Sequence, residues 1–218
     1  MNPLPLPPRN FCDRILPVTK IAAEWYRFHP ARYGSSTGAL FFGRSAKFRF
    51  DAPLGEYGVM YIAKSINGAF IESFGRNPGR KVISEGKIRS RALTILESVK
   101  LTLVDLTGPG ASLVGADGRL CTDQYSLTQA WSKAFHAHPV CADGILYCAR
   151  HDLSCVCAAV FERAAAKFSV VAMHDFSNRL SMQLLTPSLR TYKIKITRIP
   201  GTSSMGRTGK SIKVTKRN

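Results

Sequence analysis

A chain of 218 residues with 31 Lys and Arg against 14 Asp and Glu carries a formal charge of +17, with 45% apolar and 21% charged residues. That length and composition suit one globular domain with a real core and exclude wholesale disorder. No apolar run approaches the roughly 18 residues that a membrane-spanning helix needs.

The opening residues Met1-Asn2-Pro3-Leu4-Pro5-Leu6-Pro7-Pro8 lack the basic start and continuous apolar stretch of a secretory signal. A cytoplasmic, reducing location is therefore expected, with residues 1–15 as an extended Pro-rich arm. The runs around Arg27 and Arg49 read as strand-like. Val59 to Ala63 reads as a short strand feeding a helix, whose positions Ile66, Ala69, Phe70, Ser73 and Phe74 share one face and which stops near Gly75. Ala92 to Leu106 alternates as a strand until Gly108-Pro109-Gly110 breaks it. Leu127, Ala130, Trp131, Ala134, Phe135 and His138 form a helical stripe that Pro139 ends, with Asp123 as the expected N-cap. Gly144 to Cys148, Cys155 to Phe161 and Tyr192 to Ile199 read as strands. Strands outnumber helices and are not spaced by regular helical crossovers. The expected fold class is therefore α+β, a single domain (residues 16–199) with a mixed or antiparallel sheet flanked by helices.

The charge is uneven along this chain. Twenty-one basic and all 14 acidic side chains fall in the first 175 residues, a net +7, and the last 43 carry +10. Residues 200–218, rich in Gly, Ser, Thr and Lys, read as a basic flexible tail. It would serve solubility and general attraction to polyanions, or a weak nucleic-acid contact.

Six cysteines, Cys12, Cys121, Cys141, Cys148, Cys155 and Cys157, include no C-x-x-C pair. Cys155-Val156-Cys157 lies in an apolar run and is expected to send its sulfurs to opposite sheet faces. His136, His138 and Cys141 offer three zinc ligands without a second cluster at a finger spacing, so no metal is expected; His138 extends the apolar stripe and reads as a satisfied core or cap histidine. Gly209-Lys210-Ser211 resembles the end of a phosphate-binding loop, but Ser204 stands where the earlier glycine is required. Neither G-x-G-x-x-G after a strand nor G-x-S-x-G is present, which removes the usual dinucleotide fold and the serine-hydrolase elbow. Asp51, Glu56 and Glu72 are close in sequence, and nothing selects a pair among them for glycoside chemistry.

One region is dense in Arg, aromatic residues and a carboxylate. It reads Trp25-Tyr26-Arg27-Phe28-His29-Pro30, Phe48-Arg49-Phe50-Asp51-Ala52-Pro53, Tyr57-Gly58-Val59-Met60-Tyr61-Ile62-Ala63 and Ala69-Phe70-Ile71-Glu72-Ser73-Phe74-Gly75-Arg76. With Gly144-Ile145-Leu146-Tyr147-Cys148-Ala149-Arg150-His151-Asp152 downstream, the stretch from Trp25 to Arg163 resembles the RES-domain family, named for its Arg, Glu and Ser residues. That family supplies the toxin half of RES–Xre toxin–antitoxin pairs. The resemblance implies an ADP-ribosyltransferase-like fold and an enzyme that consumes NAD as substrate by cleaving the nicotinamide–ribose bond. Phosphate is the acceptor in some members and a protein in others, and no resident cofactor is implied. It also implies an Xre-type helix-turn-helix antitoxin as partner, contact with nucleic acid through that antitoxin, and leaves room for a homo-oligomer.

By motif position, the family's functional arginines correspond to Arg27 and Arg49, its tyrosine to Tyr61 and its glutamate to Glu72. Its Y-x-S-R pattern reads Tyr147-Cys148-Ala149-Arg150, so Ala149 stands in place of the family's serine, and neither Ser126 nor Ser154 occupies that position. The chemistry fits these residue types. Guanidinium groups bind a diphosphate in bidentate fashion. An aromatic face from Tyr61 or Phe28 suits the flat nicotinamide cation. Glu72 beneath the ribose would stabilise the oxocarbenium-like charge left by departing nicotinamide. Arg27, Arg49 and Glu72 are the candidate catalytic residues, and Tyr61, Phe28, Arg150 and Ala149 the candidate substrate contacts. Each residue type has a plainer reading beside this one. Glu72 lies off the apolar centre of its helix, as a solvated glutamate does; the two arginines could snorkel; Tyr61 fits a core position. His151-Asp152 reads either as a base with its orienting acid or as a turn.

Overall fold

A computed structural model describes residues 3–31, 36–77, 79–177 and 179–197. In chain order the elements are β1 (Val18–Pro30), α1 (Ser36–Ala39), β2 (Val59–Ala63), α2 (Ile66–Phe74), β3 (Val82–Ser84), α3 (Glu85–Arg89), β4 (Arg91–Asp105), α4 (Gly110–Leu113), α5 (Tyr125–Ala137), β5 (Gly144–Ala149), β6 (Asp152–Phe161), β7 (Phe168–Asp175), α6 (Arg179–Gln183), α7 (Thr186–Thr191) and β8 (Lys195–Thr197). The fold is α+β around a mixed sheet, in the order β1-β2-β6-β5-β4-β7, with β3 and β8 as a separate parallel pair.

The long strands β1 and β4 form the frame, antiparallel from Val18 opposite Val104 to Pro30 opposite Arg91. The other edge of β4 is shared: β7 pairs along Ala92–Ser98, and β5 pairs in parallel at Leu103–Asp105. On its other edge β1 meets β2, with Tyr26 opposite Ala63. The pairings β1–β2–β6–β5–β4 thus close a circuit and leave β7 to continue only part of the sheet. Two cores follow from the period-two alternation of side chains. Val59 and Ala63 of β2 and Cys157 and Ala159 of β6 enter the larger core, with Phe70, Trp131 and Phe135. Met60, Ile62, Ala158 and Val160 enter the smaller one, with Trp25, Leu96 and Phe168. Burial on both faces is why β2 reads as an unbroken apolar run.

Helix α2 begins at the Ser65 N-cap, whose Oγ accepts from Gly68 N at 3.1 Å, and ends where Gly75 N donates to Ile71 O. Helix α5 buries Trp131 and Phe135. The Pro-rich segment is laid against it: Trp131 Nε1 donates to Pro5 O at 2.8 Å, and Phe11 meets the Trp131 ring edge-on at 5.3 Å. Leu4 is buried there, with its N–H on Asp123 Oδ2 at 2.7 Å.

Several local expectations are corrected. Gln124, not Asp123, is the N-cap of α5; the Asp123 carboxylate instead accepts from Leu4 N and Gln124 N. Cys155 and Cys157 lie in the same core, because positions two apart return to one face of a pleated strand. β6 begins at Asp152, ahead of its apolar run. Tyr192 caps α7, so the last strand does not start there: among the described residues it is Lys195–Thr197, paired with the short β3. Arg49 sits in a turn, not a strand. β7 has no clean alternation because Val171 is bulged out of its pairing with β4, which hides it from a periodicity reading. The segment 200–218, including Gly209-Lys210-Ser211, lies outside the described residues, as do positions 198 and 199.

Gly144 is required by the close approach of β5 to β6. A Cβ there would meet Ala159 O at 2.4 Å and Val160 Cα at 2.9 Å, both backbone atoms. Gly144→Ala is expected to cost about 1–3 kcal/mol, seen as a thermal midpoint lower by several degrees.

His136 stacks on Tyr57 at 3.8 Å, and burial, then Arg163, push its imidazole down to about 4. The unfolded chain therefore takes up a proton near pH 6.5 that the folded chain refuses until near pH 4. Stability from this neutral stack is complete above pH 6.5 and is lost as pH falls from there toward 4. The thermal midpoint should fall between pH 7 and pH 5, and His136→Phe should reduce that fall.

Candidate active site

A cleft of about 580 Å³ opens beside β1, β2, α2 and the end of β5. It brings together six of the seven sequence-selected side chains: Arg27, Phe28, Arg49, Tyr61, Glu72 and Arg150. Ala149 is the exception. It is fully buried in the larger core and does not line the cleft.

Arg27 projects from β1, and its Nη1 donates to the carbonyls of Ala39 at 3.0 Å and Phe41 at 2.9 Å. Burial pushes this guanidinium down to about 10, and at neutral pH it remains charged. Arg49 is positioned from the other side. Its Nη1 donates to Asp123 O at 2.9 Å, its guanidinium lies 5.1 Å from the centre of the Tyr125 ring, and its own carbonyl accepts from Thr128 Oγ1. The turn carrying Arg49 is built on Asp51, which is only 1% exposed. Its carboxylate accepts from Ser45 Oγ, Lys47 N and Phe48 N, and from the Tyr61 hydroxyl at 3.0 Å.

Tyr61 is thereby locked. Its hydroxyl donates to Asp51 and accepts from Phe50 N at 2.9 Å, and burial, then the Asp51 charge, hold it well above the usual phenol range. What Tyr61 offers the cleft is its ring, edge-on to Phe48 at 5.8 Å. Phe28 borders the cleft but is 8% exposed, packed against Phe74 and stacked on Phe176 at 5.9 Å, so its ring belongs mainly to the core.

Glu72 lies on the cleft side of α2, half-buried rather than solvated, and its carboxylate makes no hydrogen bond or ion pair among the described residues. Its charge reaches the opposite wall: behind the larger effect of burial, it raises the Tyr147 hydroxyl and the Cys121 and Cys157 thiols. Tyr147, from β5, also lines the cleft, and its hydroxyl makes no hydrogen bond among the described residues. Sequence reasoning quoted Tyr147 only as a flank of the missing serine. The signal was its place two residues from Ala149, hence on the same face of β5.

The cleft is cationic. Arg27, Arg49, Arg76, Lys87, Arg91 and Arg150 line it against the carboxylates of Asp51 and Glu72 alone. All 14 acidic residues lie among the described ones. The ion pairs engage Arg44, Arg89, Arg119, Lys133 and Lys167, none of them in the cleft. Of the three carboxylates close in sequence, Glu56 is paired with Lys133 and stands outside the cleft. His151 lines the cleft from a turn, and Asp152 does not orient it, being bonded to Ser154 and to the Tyr192 hydroxyl. Among the described residues no three His, Cys, Asp or Glu side chains gather as metal ligands. His136 is stacked on Tyr57, and His138 is buried with Nε2 on Arg14 O and Nδ1 accepting from Val140 N. No helix among the described residues is long and apolar enough to cross a membrane.

No curated protein matches the chain in sequence. One similar solved structure is the crystal structure of the M. tuberculosis MbcT-MbcA toxin-antitoxin complex: 20% identity, a TM-score of 0.63, and 82% of this chain and 98% of that chain covered. At that identity the likeness concerns the fold, and the α+β class stands on it. The family model described as RES domain matches residues 23–182, well over half of the chain and including every strand of the main sheet except the start of β1. The cleft that gathers Arg27, Arg49, Tyr61 and Glu72 falls inside that match, and the chain belongs to the RES-domain family.

Proposed function

We propose that the chain is the toxin of a toxin–antitoxin pair and that it degrades NAD by breaking the nicotinamide–ribose bond. The observation that carries this reading is Glu72, a half-buried carboxylate without a partner among the described residues, in a cleft lined by six cationic side chains. An unpaired carboxylate there is suited to a positive charge that exists only while the substrate reacts. The C1′–N bond of NAD breaks with its electron pair leaving on nicotinamide, and the ribose gains oxocarbenium character above Glu72. An acceptor oxygen then adds at C1′. Phosphate gives ADP-ribose 1″-phosphate, and water gives ADP-ribose and a proton.

The remaining residues bind and orient. Arg49, with Arg150 nearby, would grip the diphosphate, and Arg27 the opposite wall of the ligand. The ring of Tyr61 offers the nicotinamide a face, held still because its hydroxyl is fixed between Asp51 and Phe50. The Tyr147 hydroxyl, still protonated, can donate to a ribose oxygen. Ala149 does not interrupt this set, because it lies beneath the cleft surface. The complex named in the similar structure supports an antitoxin partner, and an Xre-type antitoxin with a helix-turn-helix would act by covering this cleft.

Purified protein mixed with NAD should release nicotinamide, faster with phosphate if phosphate is the acceptor. Nicotinamide release that is absent with phosphate, water and a cell lysate as acceptors, from folded protein, would falsify the enzymatic reading. Labelled ADP-ribose appearing on a lysate protein would assign the acceptor as protein instead. Arg49→Ala should raise KM for NAD by about 10-fold or more, the loss of one charge-assisted bidentate contact.

A further inference from the structure

Arg49 is a long side chain, and fixing its backbone does not aim its guanidinium. The backbone of its turn is fixed by α5: Thr128 Oγ1 donates to Arg49 O, Gln129 Nε2 to Ala46 O and Phe48 O, and Ser132 Oγ to Phe50 O. The guanidinium is held by the segment just ahead of α5, through Asp123 O at 2.9 Å and the Tyr125 ring at 5.1 Å. Its other N–H groups make no hydrogen bond among the described residues, which leaves them to a ligand. The Asp123 side chain places that segment. Gln124 makes no capping bond through its own side chain; instead Asp123 Oδ1 accepts from Gln124 N and Oδ2 from Leu4 N, both at 2.7 Å.

The N-terminal arm brings a single donor to Asp123. In Pro3-Leu4-Pro5-Leu6-Pro7-Pro8 only the two leucines carry a backbone N–H. That of Leu4 goes to Asp123, and the Leu4 side chain is buried while Leu6 is exposed. Pro3 O accepts from Arg119 Nη1 at 2.9 Å and Pro5 O from Trp131 Nε1 at 2.8 Å, so Leu4 is pinned on both sides. The prolines leave the arm little conformational freedom to lose on docking. This brace comes from outside residues 23–182, the span of the RES-domain match.

We infer that Asp123 is a positioning residue for Arg49, and that the N-terminal arm, through the Leu4 N–H, sets how tightly the cleft holds a diphosphate. The inference rests on the reading of Arg49 as the diphosphate ligand. The sign of the effect separates positioning from charge. A carboxylate beside Arg49 repels a bound diphosphate, so removing it as a mere charge would tighten binding. Removing it as the brace of Arg49 weakens binding, because the ligand must then order the guanidinium itself.

The test is calorimetric titration of the full chain with ADP, beside KM and kcat for NAD. Asp123→Ala and Leu4→Pro remove the same hydrogen bond from its two ends, and Leu4→Pro leaves every charge in place. Each should weaken ADP binding by about 3–10-fold, the scale of one lost hydrogen bond. KM for NAD should rise by the same factor with kcat unchanged. The double variant should bind no more weakly than Asp123→Ala alone, since both act through one bond. In an Arg49→Ala background neither substitution should matter. Leu4→Ala keeps the N–H, so it should lower the thermal midpoint and leave ADP affinity within about 2-fold of wild type. Unchanged or tighter ADP binding in Asp123→Ala overturns the inference, as does equal weakening by Leu4→Pro and Leu4→Ala, or a loss that persists without Arg49. Folded wild-type protein that does not bind ADP overturns it together with the diphosphate role of Arg49. ADP binding weakened by Arg49→Ala but not by Asp123→Ala removes the positioning role and leaves the diphosphate role standing. The expected pattern without nicotinamide release removes NAD cleavage and leaves the positioning role.

Discussion

Glu72→Gln should slow nicotinamide release by about 10²–10³-fold, a loss of the size that follows removal of one preorganised charge-stabilising group. The fall should appear in kcat with KM little changed, because the carboxylate is needed where positive charge develops rather than where the ground state binds. The substitution is nearly isosteric, and the carboxylate has no partner among the described residues to lose. The thermal midpoint should therefore stay within about a degree of wild type. A Gln variant that keeps more than a tenth of the activity would show that the charge of Glu72 is not what the reaction uses, and the Tyr147 wall of the cleft would then be the next place to look.

Asp51→Ala should have the largest effect on the protein itself. The side chain is 1% exposed and accepts four hydrogen bonds, from Ser45 Oγ, Lys47 N, Phe48 N and the Tyr61 hydroxyl. Alanine strands those donors where water has little access. Each orphaned group costs about 1–3 kcal/mol, and because neighbouring losses are not additive a total near 3–5 kcal/mol is expected. The same change releases the Tyr61 ring and the turn that aims Arg49, so KM for NAD should rise in whatever fraction still folds. Asp51→Asn keeps one acceptor oxygen and should fall between wild type and alanine in both denaturant midpoint and KM. Tyr61→Phe removes the donor to Asp51 and the acceptor of Phe50 N but leaves the ring, and it separates the two consequences: stability should drop by about 1–3 kcal/mol while the aromatic face persists. Loss of activity in Tyr61→Phe as large as in Asp51→Ala would assign the hydroxyl itself a part in the reaction.

The elements that were legible in the sequence are those whose burial follows a simple period. β2 and α2 match the expected bounds, with Val59–Ala63 as the strand and Ile66–Phe74 as the helix, because one is buried on both faces and the other carries a stripe closed by Ser65 and Gly75. β4 and β5 were legible for the same reason. β7 was not, since the bulge at Val171 breaks the alternation that a reader of sequence depends on. The segment around Arg49 reads as strand because Phe48-Arg49-Phe50 alternates, but Asp51 and its backbone partners make it a turn.

The candidate site divides along the same line. Arg27, Arg49, Tyr61 and Glu72 were selected jointly by a family pattern, and the cleft contains all four. Glu72 alone reads as a surface glutamate, because helical periodicity reports distance from the apolar stripe and not what stands across from it. Asp51 was visible only as one of three nearby carboxylates, with no sign that it is the buried hub of the Arg49 turn. Arg76, Lys87 and Arg91 carried no signal, since each is an ordinary basic residue at an element's edge, and Tyr147 appeared only as a neighbour of Ala149.

By itself, then, the sequence determined the α+β class, the main strands and helices, and the RES-domain family. These follow from local rules: periodicity, caps, breakers and spacing within short segments. The tertiary structure alone decided that Ala149 is buried beneath the cleft, that Tyr61 contributes its ring and not its hydroxyl, and that six cations face two carboxylates in one cavity. Those outcomes depend on which side chains from β1, β2, β4, β5, α2 and α3 face one another across the circuit of strands. Electrostatic environment is a property of that juxtaposition, and no count of charges along the chain contains it.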